Sequence, residues 1–171
     1  MTDVDPVRTT LVDCFDRIRD LAADLTDGLT AEVADFRPDA EANSIGWLLW
    51  HVARVTDDHV AGLAQVEQVW PRWRDRFDLP LDDGDIGYGH TPAQVGTVRV
   101  SADLLAGYQT EVNELVADYL ARLDGDELGR VVDTRWDPPV TASVRLVSVV
   151  SDALQHLGQA AYVRGLADRR A

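Results

Sequence analysis

Four stretches of this chain repeat apolar residues at alternating steps of three and four, the spacing of a helix with one face against a core. The spacing predicts helices over 4–27, 43–66, 101–123 and 143–167. No other long element competes with them, so the expected fold is all-α, a four-helix bundle. Three connections join the helices: 29–42, a long irregular segment at 67–100, and a short strand-like turn over 124–141 with Val131, Val132, Thr134 and Trp136 before Asp137-Pro138-Pro139. A structureless loop as long as 67–100 often covers a site. Its Trp70, Trp73 and Phe77 suggest that it packs down onto the bundle.

In the first helix, Val7, Leu11, Cys14, Ile18, Leu21 and Leu25 form the apolar stripe, with Asp5-Pro6 as the start and Gly28 as the stop. Cys14 reads as a small buried hydrophobe, since no polarising neighbour marks it as a reactive thiol. The third helix, capped by Ser101, buries Leu105, Tyr108, Val112, Leu115, Tyr119 and Leu123 and turns its acids outward. It carries no histidine or cysteine and reads as structural. In the fourth, capped by Thr141 or Ser143, apolar residues surround nearly the whole circumference, which predicts burial on all sides. Gly165 and the basic Arg169-Arg170 are its expected end.

Composition narrows the function classes. At 171 residues, 46% hydrophobic and 27% charged, the chain is expected to form one domain over 1–171. A net charge of −14 argues against nucleic acid and anionic membrane surfaces as partners. No run of about 18 apolar residues is present, and the N-terminal residues lack a signal-peptide pattern. With a single cysteine, unable to form an internal disulfide, the expected location is the cytoplasm.

The second helix carries two stripes. Ile45, Leu48, Leu49, Val52, Val55 and His59 make an apolar one, in which His59 reads as structural. Trp47, His51, Arg54 and Asp58 make another at steps of four, three and four. Tryptophan and histidine do not belong on a wet face, so this stripe is expected to face a polar pocket inside the bundle. In the fourth helix, Asp152 and His156 lie four apart, about 6 Å along the axis, where both can grip one ion. His51 is the helical histidine best placed to supply a third ligand. A His/Asp/His set leaves coordination positions open, as catalytic metal sites do, and suits zinc, nickel, iron(II) or manganese. The plainer readings are a core histidine bonded to a backbone carbonyl for His51, and an ion pair with Arg145 or Arg54 for Asp152. His90, in the long loop, either reaches the site or bonds the backbone. Gln159 and Tyr162 either line the pocket or cross-link helices. Arg54 either holds a substrate carboxylate or pairs with Asp57 or Asp58.

The segments NSIGWLLWHVARVTDDHV, GYGHT, RWDPPVT and SDALQHLGQAAYVRG together resemble the DinB-like superfamily, in particular actinobacterial members similar to the metal-binding domain of mycothiol-dependent maleylpyruvate isomerase. The resemblance spans essentially the whole chain. It implies a four-helix bundle with a divalent metal, zinc or nickel before others, held at His51, Asp152 and His156. Many members carry histidine at the position of Asp152; the isomerase-like branch uses a carboxylate there. The resemblance further implies a thiol cofactor such as mycothiol and an S-transferase or isomerase reaction on a small electrophile, and it allows a homodimer. Trp47, Arg54, Asp58, His90, Gln159 and Tyr162 are the expected lining of the substrate and thiol pocket. A metal-dependent hydrolase that activates water, and a non-catalytic binding bundle, are the alternative readings.

Overall fold

The computed structural model describes residues 5–170. Of the described residues 66% are helical and 3% are in strands, an all-α bundle with four long helices. These are α1 (Asp5–Thr26), α3 (Ile45–Ala64), α6 (Ala102–Ala121) and α8 (Ala142–Asp168). Short helices fill the connections: α2 (Ala31–Asp35), α4 (Arg74–Phe77), α5 (Pro92–Val95) and α7 (Gly125–Gly129), with a 3-10 turn at Trp70–Arg72. The strands β1 (Val131–Asp133) and β2 (Val140–Thr141) pair antiparallel, Val131 opposite Thr141. Residue 4, the expected first residue of α1, lies outside the described residues.

Local chemistry sets the helix starts. Ser44, Thr30, Ser101 and Thr141 each turn a side-chain oxygen to the amide three residues on and satisfy an N–H that the helix cannot. Gly28, at φ +62, takes the left-handed turn after α1. Arg164 of α8 then donates to the carbonyls of Asp24, Leu25 and Asp27, closing the end of α1 with a cation.

The four long helices close a ring in which α1 packs on α6 and α8, and α3 packs on the same two. Sixteen of the twenty residues of α3 are buried, which makes it the central helix. Ile45, Leu48, Val52 and Val60 are at most 1% exposed, each stabilising the fold by about 1.5–3 kcal/mol. The long segment between α3 and α6 packs down through aromatics: Trp70, Trp73 and Phe77 surround Tyr108 of α6 at ring separations of 5.3, 6.1 and 5.7 Å.

Four expectations need correction. The buried face of α1 is Phe15, Ile18, Ala22 and Leu25, whereas Val7 and Leu21 are exposed. Leu21 lies about 60° round the helix from Ile18, against about 40° for Ala22, and so turns away from the core. The fourth helix is not buried all round: Val144, Val147, Leu154 and Tyr162 are exposed, because its neighbours α1 and α3 leave an outer side uncovered. Gly165 does not end that helix, which continues to Asp168 with Arg169 as its cap. His59 sits at the edge of the core rather than within the apolar stripe, 25% exposed, 3.2 Å from Asp58 and lining the same cavity as that residue.

Candidate metal centre

α3 and α8 lie side by side, and their facing turns bring His51, Asp152 and His156 together. One ligand atom from each of the three lies within 4.8 Å of the others. His51 Nε2 is 3.8 Å from Asp152 Oδ2, and His156 Nε2 is 3.5 Å from Asp152 Oδ1. His51 forms the floor, 6% exposed, while Asp152 and His156 are 35% and 20% exposed. The site therefore opens toward solvent on the α8 side.

Each histidine is anchored through its other nitrogen. His51 Nδ1–H donates to the carbonyl of Ile86. Since a carbonyl can only accept, the Nε2 lone pair faces the cluster. His156 Nδ1 pairs with Gln159 Oε1 at 3.1 Å, which likewise leaves Nε2 toward Asp152. An outer partner that fixes the tautomer in this way is the usual companion of a metal-ligating histidine. Trp47 stacks on His51 at 4.7 Å with planes 12° apart, and His156 stands edge-on to His51 at 4.7 Å.

Electrostatics follow the geometry. Burial holds the His51 imidazole below its ordinary pKa, against the opposing pull of the Ile86 carbonyl, so the ring is neutral at pH 7. Burial opposes ionisation of Asp152, yet His156 and His51 beside it keep the carboxyl below its usual value. The same pairing with Asp152 raises His156. Asp152 Oδ2 is buried and accepts no hydrogen bond. A carboxylate oxygen desolvated without a donor is costly unless a cation meets it. Two imidazole nitrogens and a carboxylate oxygen at this spacing fit one divalent ion, whose bonds to such ligands run about 2.0–2.2 Å.

The alternative partners for Asp152 are engaged elsewhere. Arg145 reaches Asp133 at 3.5 Å, and Arg54 lies 3.7 Å from Asp57. Arg54 is fully buried: its guanidinium donates to the Asp85 carbonyl, Gln68 and the Tyr108 hydroxyl, and lies over Trp70 at 4.7 Å. Asp58 accepts from Gln68 and lines a separate cavity of about 450 Å³ with His59, Arg135 and Arg145. His90 accepts the Trp47 indole N–H at Nδ1, 3.2 Å, with its side chain 3% exposed. Gln159 joins the cluster through His156. Tyr162 stands in solvent, 69% exposed and about 120° round the helix from His156. A larger hollow between α1 and α6, about 900 Å³, contains none of the cluster residues.

Ile86 and Tyr108 had no sequence signal as neighbours of the site, whereas Asp57 pairs with Arg54 as one of the two carboxylates expected for it. The Ile86 carbonyl is backbone, and the Tyr108–Asp57 bond spans 51 positions.

A model of the family described as mycothiol-S-transferase matches residues 10–169. No curated protein matches the chain. Among solved structures, a conserved protein from Enterococcus faecalis is 32% identical over 96% of each chain, with a TM-score of 0.85.

Proposed function

The chain belongs to the mycothiol-S-transferase family, and from that premise we propose a single-domain, divalent-metal-dependent enzyme that passes a low-molecular-weight thiol to a small electrophile in the cytoplasm. The observation that supports it most directly is the buried, partnerless Oδ2 of Asp152, 3.8 Å from the free nitrogen of His51. His51, Asp152 and His156 would hold the ion; the donors suit zinc, nickel, iron(II) or manganese, and the family resemblance puts zinc or nickel first. When bound, such an ion supplies a positive charge that lowers the pKa of a thiol and fixes its sulfur beside the pocket.

The chain's own residues do the rest. His51 stays neutral in its buried floor and offers Nε2 without first losing a proton. Asp152 favours a proton on His156, so binding a cation there displaces that proton. Gln159 keeps the His156 ring turned toward Asp152. Trp47 covers one face of His51 and excludes water from it. In the transfer itself the thiol gives its proton to solvent and a carbon–sulfur bond forms; the electrophile's bond to its leaving group, or its carbon–carbon π bond, breaks, and that electron pair goes to the leaving group or to the adjacent carbon, which takes a proton back from solvent.

The test is to titrate mycothiol into cobalt(II)-loaded protein and then add thiol-reactive electrophiles. A thiol-dependent change in the cobalt absorption, with thiol-dependent consumption of an electrophile, is expected. A silent spectrum with ester or amide turnover would replace this reading with a hydrolase. Silence in both would leave a binding bundle.

A further inference from the structure

The segment Asp85–His90 touches the candidate metal centre only through His51 and Trp47, yet its contacts there are unusually complete. Its first residue is tied down from below: Arg54 Nε donates to the Asp85 carbonyl at 3.0 Å. The next carbonyl, Ile86, takes the Nδ1–H of His51. Gly87 follows at φ +92 and lies flat against the same rings. A Cβ there would sit 2.6 Å from His51 Nδ1, 3.0 Å from Trp47 and 3.2 Å from Trp50. The segment closes with His90, whose amide returns to the Gly87 carbonyl at 3.3 Å. Its ring stacks on Trp50 at 5.8 Å and accepts the Trp47 N–H at 3.2 Å. Trp47 in turn stacks on His51. Both faces of the contact, backbone on the Nδ1 edge and indole on the ring plane, are thus set by one strap.

Tyr88 shows what the strap does not do. It is 90% exposed between two glycines with positive φ, so it contributes nothing to holding the segment. The ordering comes from Asp85, Ile86, Gly87 and His90, which meet α3, and from His90 Nε2, which lies 3.3 Å from Asp85 Oδ1 within the strap. Sequence requirements on this strap are narrow: only glycine suits position 87, on both conformation and space.

We propose that the strap Asp85–His90 is the outer shell of the metal centre, with the Ile86 carbonyl, Gly87 and His90 as positioning residues that select Nε2 of His51 as the ligand atom and set how tightly the site holds its ion. This rests on the reading of His51, Asp152 and His156 as metal ligands. Outer partners of metal-bound histidines typically carry about 10–100-fold in affinity. A Cβ at position 87 would press on the Nδ1 edge of His51 and push the carbonyl off it, while no atom of Asp152 or His156 is among its nearest neighbours.

The experiment measures zinc affinity of the full chain by competition with a chromophoric chelator, for wild type, Gly87→Ala, His90→Leu and His90→Asn. Helical content and thermal unfolding of the metal-free proteins are recorded alongside. Gly87→Ala and His90→Leu are expected to lose roughly 10–100-fold in zinc affinity with helical content retained. His90→Asn, which keeps an acceptor for the Trp47 N–H, is expected to stay close to wild type. Should Gly87→Ala fail to fold, the His90 pair carries the comparison. Nitrogen-15 spectra of metal-free wild type should show His51 as the Nδ1–H tautomer. Equal zinc affinity in wild type, the folded Gly87→Ala and His90→Leu would overturn the strap's role and leave the metal ligands intact. An Nε2–H tautomer for His51 would also overturn it. A wild-type chain that takes up no zinc would overturn the ligand assignment itself.

Discussion

Arg54 and Asp57 lie one turn apart on α3, 3.7 Å from each other, and neither side chain is exposed. Asp57 also accepts the amides of Val69 and Trp70 and the Tyr108 hydroxyl. One carboxylate therefore fixes the start of the long α3–α6 connection and neutralises a buried guanidinium. Replacing Asp57 by alanine strands Arg54 in the core and should cost about 3–5 kcal/mol. Thermal unfolding should then shift down by roughly 10 °C. A shift of only a degree or two would mean that the pair does not fasten the connection.

Two helical glycines should respond oppositely to alanine. On propensity alone each substitution gains up to about 1 kcal/mol. At Gly158 a Cβ meets nothing within 4 Å, so Gly158→Ala should raise the melting temperature. At Gly107 a Cβ would lie 2.4 Å from the ring of Trp73, which is itself buried against Tyr108 and Phe77. Gly107→Ala should destabilise by about 1–3 kcal/mol despite its better propensity. Stabilisation at both positions would contradict the packing of Trp73.

The β1–β2 hairpin is held to α8 through Asp133, which accepts from Arg135 at its amide, Nε and Nη2, and from Arg145. The Arg135 hydrogen bonds pull its carboxyl from the ordinary 3.8 down to about 2. A carboxyl depressed on folding stabilises above its unfolded pKa and loses that contribution as pH falls toward the folded one. Asp133→Asn should therefore be less stable than wild type at pH 7. The gap in urea midpoint should begin to close below about pH 4, near the unfolded value. A gap that stays constant down to pH 3 would show that charge at Asp133 is not the cause.

Much of this architecture is legible in the chain itself. Trp47, His51 and Arg54 recur at helical spacing, and all three are buried, because residues four and three apart share a face whatever the fold around them. The pairing of Asp152 with His156 follows from the same rule. What is not legible depends on contacts distant in sequence. Arg54 reads equally well as a substrate clamp or a helix ion pair, and its real partners include the Asp85 carbonyl and Tyr108 of α6. The Ile86 carbonyl that orients His51 leaves no trace in residue type. GYGHT announces a glycine turn but not the imidazole beneath it. α8 misleads for a related reason: its valines and leucines count as apolar in every direction, while the bundle supplies neighbours on only part of its surface.

Whether His51, Asp152 and His156 form one divalent metal site is tested most directly by metal analysis. Protein purified without chelator and offered zinc or nickel should hold about one ion per chain. The His156→Ala variant should hold none while keeping its helical circular dichroism. Wild-type protein that binds neither metal, or a His156→Ala variant that binds as wild type does, would contradict that assignment.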